Sequence, residues 1–144
     1  MIQRLQHKGA TLEDQTDVYI KHVRSILEFG VPVWNGSLTK AEIVDIERVQ
    51  KTFMYIVLGN NYINYESALD KTQLETLENR RMLLCIKFAQ KASKHPKHKN
   101  WFCPNTETGP NTRSDKTTYK TPLSRLSRFK KSPIPYLTDL LNTQ

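Results

Sequence analysis

Apolar residues recur at helical spacing in three long stretches of the chain, and the clearest lies between Leu38 and Gly59. There Ile43, Ile46, Val49, Phe53, Ile56 and Val57 form one apolar arc, with Lys40, Asp45, Glu47, Arg48 and Lys51 largely opposite. Thr39 and Glu42 have the spacing of a capping box, in which each side chain satisfies the other residue's backbone N–H. Leu38 and Ile43 occupy the positions of a hydrophobic staple, and Glu47 and Lys51 are a favourable i,i+4 pair. Gly59, followed by Asn60 and Asn61, supplies the stop. Gln50 falls inside the arc, where a buried amide needs partners, so a register-fixing hydrogen bond is expected.

Upstream, Met1–Gly9 reads as the last turns of a helix that begins outside the chain. Thr11 and Asp14 predict the cap of a helix running to about Phe29, with Val18, Tyr19, Val23, Ile26 and Leu27 as its apolar face. Gly30 and Pro32 end it, and Val31–Trp34 is expected to be an extended connector whose indole closes one end of the core. Downstream, Asn64 opens a short helix to about Lys71, anchored by Ala68 and Leu69. The third long helix starts near Thr76 and runs to about His95. Met82, Leu84, Cys85, Ile86, Phe88, Ala89 and Ala92 fill one broad arc of it. Arg80, Lys87, Lys91 and Lys94 gather on a narrower strip beside that arc. Arg81 falls within the apolar arc, which predicts a carboxylate partner, Glu47 or Glu78. The expected fold is all-α: a small bundle of three long helices and one short helix over residues 1–96.

From Lys97 onward the pattern is lost. Five of the seven prolines follow residue 100, with no sustained apolar period between them. Such composition predicts a largely disordered basic tail over 97–144, interrupted by a short helix near 134–141. Leu123, Leu126 and Phe129 alternate with Arg125, Arg128, Lys130 and Lys131 as a basic amphipathic turn. Ile134, Leu137, Leu140 and Leu141 would dock on the bundle or on a protein partner.

Charge sharpens this division. The chain carries +8, yet residues 1–93 hold 12 basic and 11 acidic side chains, whereas 94–144 hold 10 and 3. A nucleic acid or another polyanion is therefore the expected partner of the second half. The two cysteines, Cys85 and Cys103, are too few for a disulfide framework, and Met1–Gly9 has no signal-peptide character. The longest apolar run, Phe53–Leu58, is too short to span a bilayer. An intracellular protein without a membrane segment is expected, with nuclear residence suggested by the Lys and Arg residues near the C-terminus.

Three sequence words carry a resemblance. VRSILEFGVPVW (Val23–Trp34), IERVQKTFMYIVLG (Ile46–Gly59) and LETLENRR (Leu74–Arg81) resemble, in that order, the C-terminal part of reverse transcriptases from LINE-like, non-LTR retrotransposons. The closing KSPIPYLTDLLN (Lys131–Asn142) resembles the end of some such reading frames. The similarity covers about Met1 to Trp101 together with that terminal piece. It implies a thumb, the helical bundle that follows the catalytic palm and lies against the template–primer duplex. The family's polymerase chemistry rests on an aromatic-x-Asp-Asp pair that binds two metal ions, and this chain has no adjacent aspartates. As it stands it is expected not to be an enzyme, and no cofactor is implied.

Other chemistry is weaker still. His95, His98 and Cys103 lie close together, but a structural zinc site needs four ligands in suitable geometry. No Gly-rich phosphate loop, nucleophile elbow or HExxH motif is present. The expected function is weak, sequence-independent contact with an RNA–DNA or DNA duplex. Arg80, Lys87, Lys91 and Lys94 would make it, assisted by Arg125, Arg128, Lys130 and Lys131. The alternative is a protein-interaction module or an inert remnant of a transposon reading frame.

Overall fold

The Thr39 hydroxyl accepts the Glu42 N–H at 3.3 Å while the Glu42 carboxylate accepts the Thr39 N–H at 2.7 Å, completing the capping box. It opens a 19-residue helix, Lys40–Leu58, which stops where Gly59 takes φ +48°, a conformation side chains disfavour. Thr11 and Asp14 form a second reciprocal box at the start of Leu12–Val18. Hydrogen bonds from the two threonines hold the Asp14 and Glu42 carboxyls below their ordinary range. Lowered carboxyl pKa values favour the capped state at neutral pH, and that contribution fades as pH falls through the carboxylate range. Thr39→Ala should cost about 1 kcal/mol in urea denaturation. An unchanged midpoint would show that the box is decorative.

The computed structural model of the protein describes residues 2–105 and 119–143, without the side chains of Ile2 and Lys99. In chain order, α1 is Ile2–His7 and α2 is Leu12–Val18. The latter continues through a π-helical stretch, Tyr19–Arg24, into α3, Ser25–Leu27. Then come α4 (Val31–Trp34) with a 3₁₀ turn at Asn35–Ser37, α5 (Lys40–Leu58), α6 (Tyr65–Thr72) and α7 (Leu77–Lys94). The last elements are α8 (Ser127–Lys130) and α9 (Pro133–Asn142). The only β pairing among the described residues is an isolated bridge between Pro104 and Tyr119, so the fold is all-α.

The chain forms two compact units rather than one bundle with a tail. Unit 1 comprises Met1–Phe29 and Leu38–Arg81, and unit 2 comprises Gly30–Ser37 and Met82–Gln144. The division expected at residue 97 is displaced because α7 contributes to both. Its first turn buries Leu77 in unit 1, while Cys85, Ala89 and Ala92 join the core of unit 2.

In unit 1, Tyr19, Phe53, Met54, Val57, Ala68 and Leu74 form the core. The Tyr19 and Phe53 rings stack with centroids 4.1 Å apart and planes 10° from parallel. Gln50 is fully buried and satisfied, as its place in the apolar arc required. Its Oε1 accepts the Tyr19 hydroxyl at 3.0 Å. Its Nε2 donates to the Tyr65 hydroxyl oxygen at 3.0 Å and to the Glu75 carbonyl at 2.8 Å. Tyr65 in turn donates to Glu47, whose carboxylate also accepts the Leu77 N–H at 3.1 Å. That places negative charge at the start of α7, where the helix dipole favours it. Burial pushes both the Tyr19 and Tyr65 phenols well above their ordinary range.

In unit 2, Val31, Cys85, Ala89, Ala92, Phe102 and Leu137 form a second core, with Trp34 packed against it, half-buried. Phe102 and Leu137 share this core with the small residues Cys85, Ala89 and Ala92 of α7. Val31–Trp34 is a helical turn and not the extended connector the proline suggested. Gly30 adopts φ +66° and ends the preceding run, and Pro32 lies in the first turn, where its missing N–H leaves no bond unmade. The described part of the expected tail is also folded. Phe102 and Leu137 are each only 2% exposed, and α9 (Pro133–Asn142) is the short helix expected near 134–141. The Asn142 amide pairs with the Tyr119 backbone, accepting its N–H at 3.0 Å and donating to its carbonyl at 2.8 Å. Residues 106–118, which the disorder expectation also covers, lie outside the described residues. No described helix is long and apolar enough to cross a membrane.

Candidate nucleic-acid interface

Lys87, Lys91 and Lys94 project from α7 at i, i+4 and i+7 spacing, which puts them on one face along about 10 Å of helix axis. All three are exposed, and none makes an ion pair among the described residues. Arg125, Arg128, Lys130 and Lys131 are likewise exposed and outside every ion pair described. These seven cations belong to unit 2.

Arg80 stands apart. It lies in unit 1, where its guanidinium donates to Glu28 through Nε and, at 3.4 Å, through Nη2. Glu28 also takes Arg24 Nε at 3.4 Å, with both of those side chains largely buried. Burial, with the neighbouring Arg80 charge, pushes the Arg24 guanidinium below its ordinary value. The Arg80 charge is thus already answered by a carboxylate, unlike those of the other seven. Arg81, expected among apolar neighbours, is indeed 2% exposed. Of the carboxylates foreseen for it, Glu47 has its Oε1 taken up by Tyr65 and Leu77.

Redistributing charge by unit makes the asymmetry steeper than the linear sequence suggests. Unit 2 holds 12 Lys and Arg against 3 Asp and Glu, net +9, whereas unit 1 holds 10 against 11, net −1. Asp139 is the one carboxylate among the described side chains of unit 2, and its Oδ1 accepts the Thr121 hydroxyl at 3.1 Å. A polyanion near this unit would meet almost no like charge.

Two features beside these cations escaped the sequence reading. The rings of His95, His98 and Trp101 follow one another, with centroids 5.0 and 4.3 Å apart. The signal in the sequence is the i, i+3 spacing in HPKHKNW, which fits a row of stacked rings as well as a zinc site. No group of three or more His, Cys, Asp or Glu able to hold a metal occurs among the described residues. The second feature is an apolar groove of about 580 Å³ in unit 2, into which Phe88 and Trp101 both face. The sequence period places Phe88 and Met82 in the core arc of α7, yet both are partly exposed, at 41% and 44%.

The surface foreseen for a protein partner is largely used within unit 2. Leu137 is buried, Leu140 and Leu141 pack against the same core, and Ile134 is half-buried at the groove. Unit 1 has a larger hollow, about 880 Å³, between α2 and α6. Of its three carboxylates, Asp14 is engaged in the cap and Asp17 with Lys21 at 2.9 Å, and Glu13 is exposed. Comparison with protein families, with characterised proteins and with solved structures finds no match to this chain.

Proposed function

We propose that this chain is a non-catalytic helical module that holds the backbone of a nucleic acid weakly and without regard to sequence. It would act in the manner of the thumb of a LINE-like reverse transcriptase. The observation that carries this reading is the segregation of charge, net +9 in unit 2 against −1 in unit 1. Lys87, Lys91 and Lys94 on one face of α7 offer a row of cations to successive phosphates, with Arg125, Arg128, Lys130 and Lys131 as further contacts. Arg80, held by Glu28, is left out of the contact set that the sequence proposed. Contacts of this kind fix position and carry no base information.

Each neutralised phosphate contributes a slope of about −0.9 to a plot of log affinity against log salt. With four contacts, affinity for an RNA–DNA hybrid should fall about 100-fold from about 50 to about 200 mM salt. Replacing Lys87 and Lys91 together with glutamate should weaken binding and flatten that slope by about two phosphate equivalents. Fluorescence anisotropy with labelled hybrid measures both. Undetectable binding at low salt, or binding indifferent to salt, refutes the reading.

A further inference from the structure

We propose that the apolar groove of unit 2 is a docking site for an acidic amphipathic helix of a partner protein. Its walls include Val33 of α4, Phe88 of α7, Trp101, Phe129 of α8 and Ile134 of α9. Four of these are large apolar side chains left substantially in water: Val33 is 67% exposed, Phe88 41%, Trp101 40% and Phe129 47%. Converging from several elements on one hollow, they form a contiguous patch, and such patches mark interaction surfaces. Scattered single exposures would mean nothing.

The occupant follows from the charges around that patch. Among the described lining residues, Lys120 is the only one with a charged amine or carboxylate. Phe88 is flanked on α7 by Lys87 and Lys91, and Phe129 on α8 by Arg128 and Lys130. None of the described lining residues is a carboxylate. A fitting partner therefore presents large apolar side chains to the hollow and Asp or Glu to its rim. An amphipathic helix does this with anchors at i, i+3 or i+4, and i+7. The volume of about 580 Å³ accommodates several such anchors. Among the described lining residues Asn100, Trp101, Lys120 and Ser132 could hydrogen-bond base edges, but most of the wall is apolar, which suits an apolar helix face better than base-edge readout. The cations of the rim are also those proposed for phosphate, so helix and nucleic acid should compete.

The test uses the full chain and a labelled synthetic helix with leucine on one face and glutamate elsewhere. Binding should be saturable and displaced by RNA–DNA hybrid. A scrambled peptide of the same composition, and one with lysine in place of glutamate, should each bind at least about tenfold more weakly. Phe88→Ala and Phe129→Ala should each weaken the acidic helix by about tenfold while leaving thermal melting unchanged, since both rings are partly solvated. Should one variant fail to fold, the other still decides the matter. Equal binding of the scrambled peptide, or no effect of either substitution, overturns the proposal. So does a chain dimer that Phe129→Glu dissolves, because the groove would then belong to a second copy. Equal loss of hybrid affinity in the alanine variants would assign the groove to nucleic acid and overturn it as well.

Discussion

Phe53→Ala is expected to destabilise unit 1 by about 3–5 kcal/mol. Phe53 is nearly inaccessible, and its ring lies face to face with that of Tyr19. Truncation removes the transfer energy of the ring and leaves a cavity that the helices on either side cannot fully close. It also removes the platform that aims the Tyr19 hydroxyl at Gln50. Small domains have net stabilities of about 5–15 kcal/mol, so the substitution would consume about a fifth or more of the total. Val44→Ala on the same helix is the control, because Val44 is mostly solvated and should shift stability by less than about 0.5 kcal/mol. Equal urea midpoints for the two variants would mean that Phe53 does not organise this core.

Gly36→Ala should damage unit 2 by about 1–3 kcal/mol, from a change of one methyl group. A Cβ at this position would lie 2.6 Å from Tyr136 Cγ and 2.9 Å from the Lys131 carbonyl oxygen. The second obstacle is backbone, so rotating the tyrosine does not relieve the clash. Moving α9 would also stretch the hydrogen bond from Asn35 Nδ2 to the Tyr136 hydroxyl, now 2.8 Å. The near-ultraviolet circular dichroism of the tyrosines and the thermal midpoint should both change. Gly9→Ala is the comparison: no atom lies within 4 Å, and only its positive φ opposes the substitution. A Gly36→Ala protein that melts with the parent chain would remove α9 from its assigned place.

What the sequence made legible was local chemistry. The caps at Thr11 and Thr39, the stop at Gly59 and the N-cap at Asn64 all depend on residues within four positions of each other. Gln50 could be singled out because a polar residue inside an apolar arc demands partners wherever they come from. The faces of α2 and α3 were harder, since the assumed rotation of 100° per residue does not hold through Tyr19–Arg24. A π-helical turn contains more residues than an α turn, so it shifts the faces that follow. Ile26 consequently lies in solvent, whereas Arg24 and Glu28 are drawn inward. The second core was illegible for another reason. Val31, Phe102 and Leu137 lie far apart in sequence and share no period, and only the chain's path brings them to the small residues of α7. Of the candidate interface, its cations could be read from the sequence, whereas the pairing of Arg80 with Glu28 and the groove could not.

Cys85 is fully enclosed in the core of unit 2, while Cys103 is exposed and borders the groove. A maleimide dye added to the native protein should therefore couple at one position without mutagenesis. The dye would sit at the mouth of the hollow, where its emission reports arrivals and departures directly. Denaturant would uncover the other thiol, so the same reagent distinguishes folded from unfolded molecules by the number of labels each accepts.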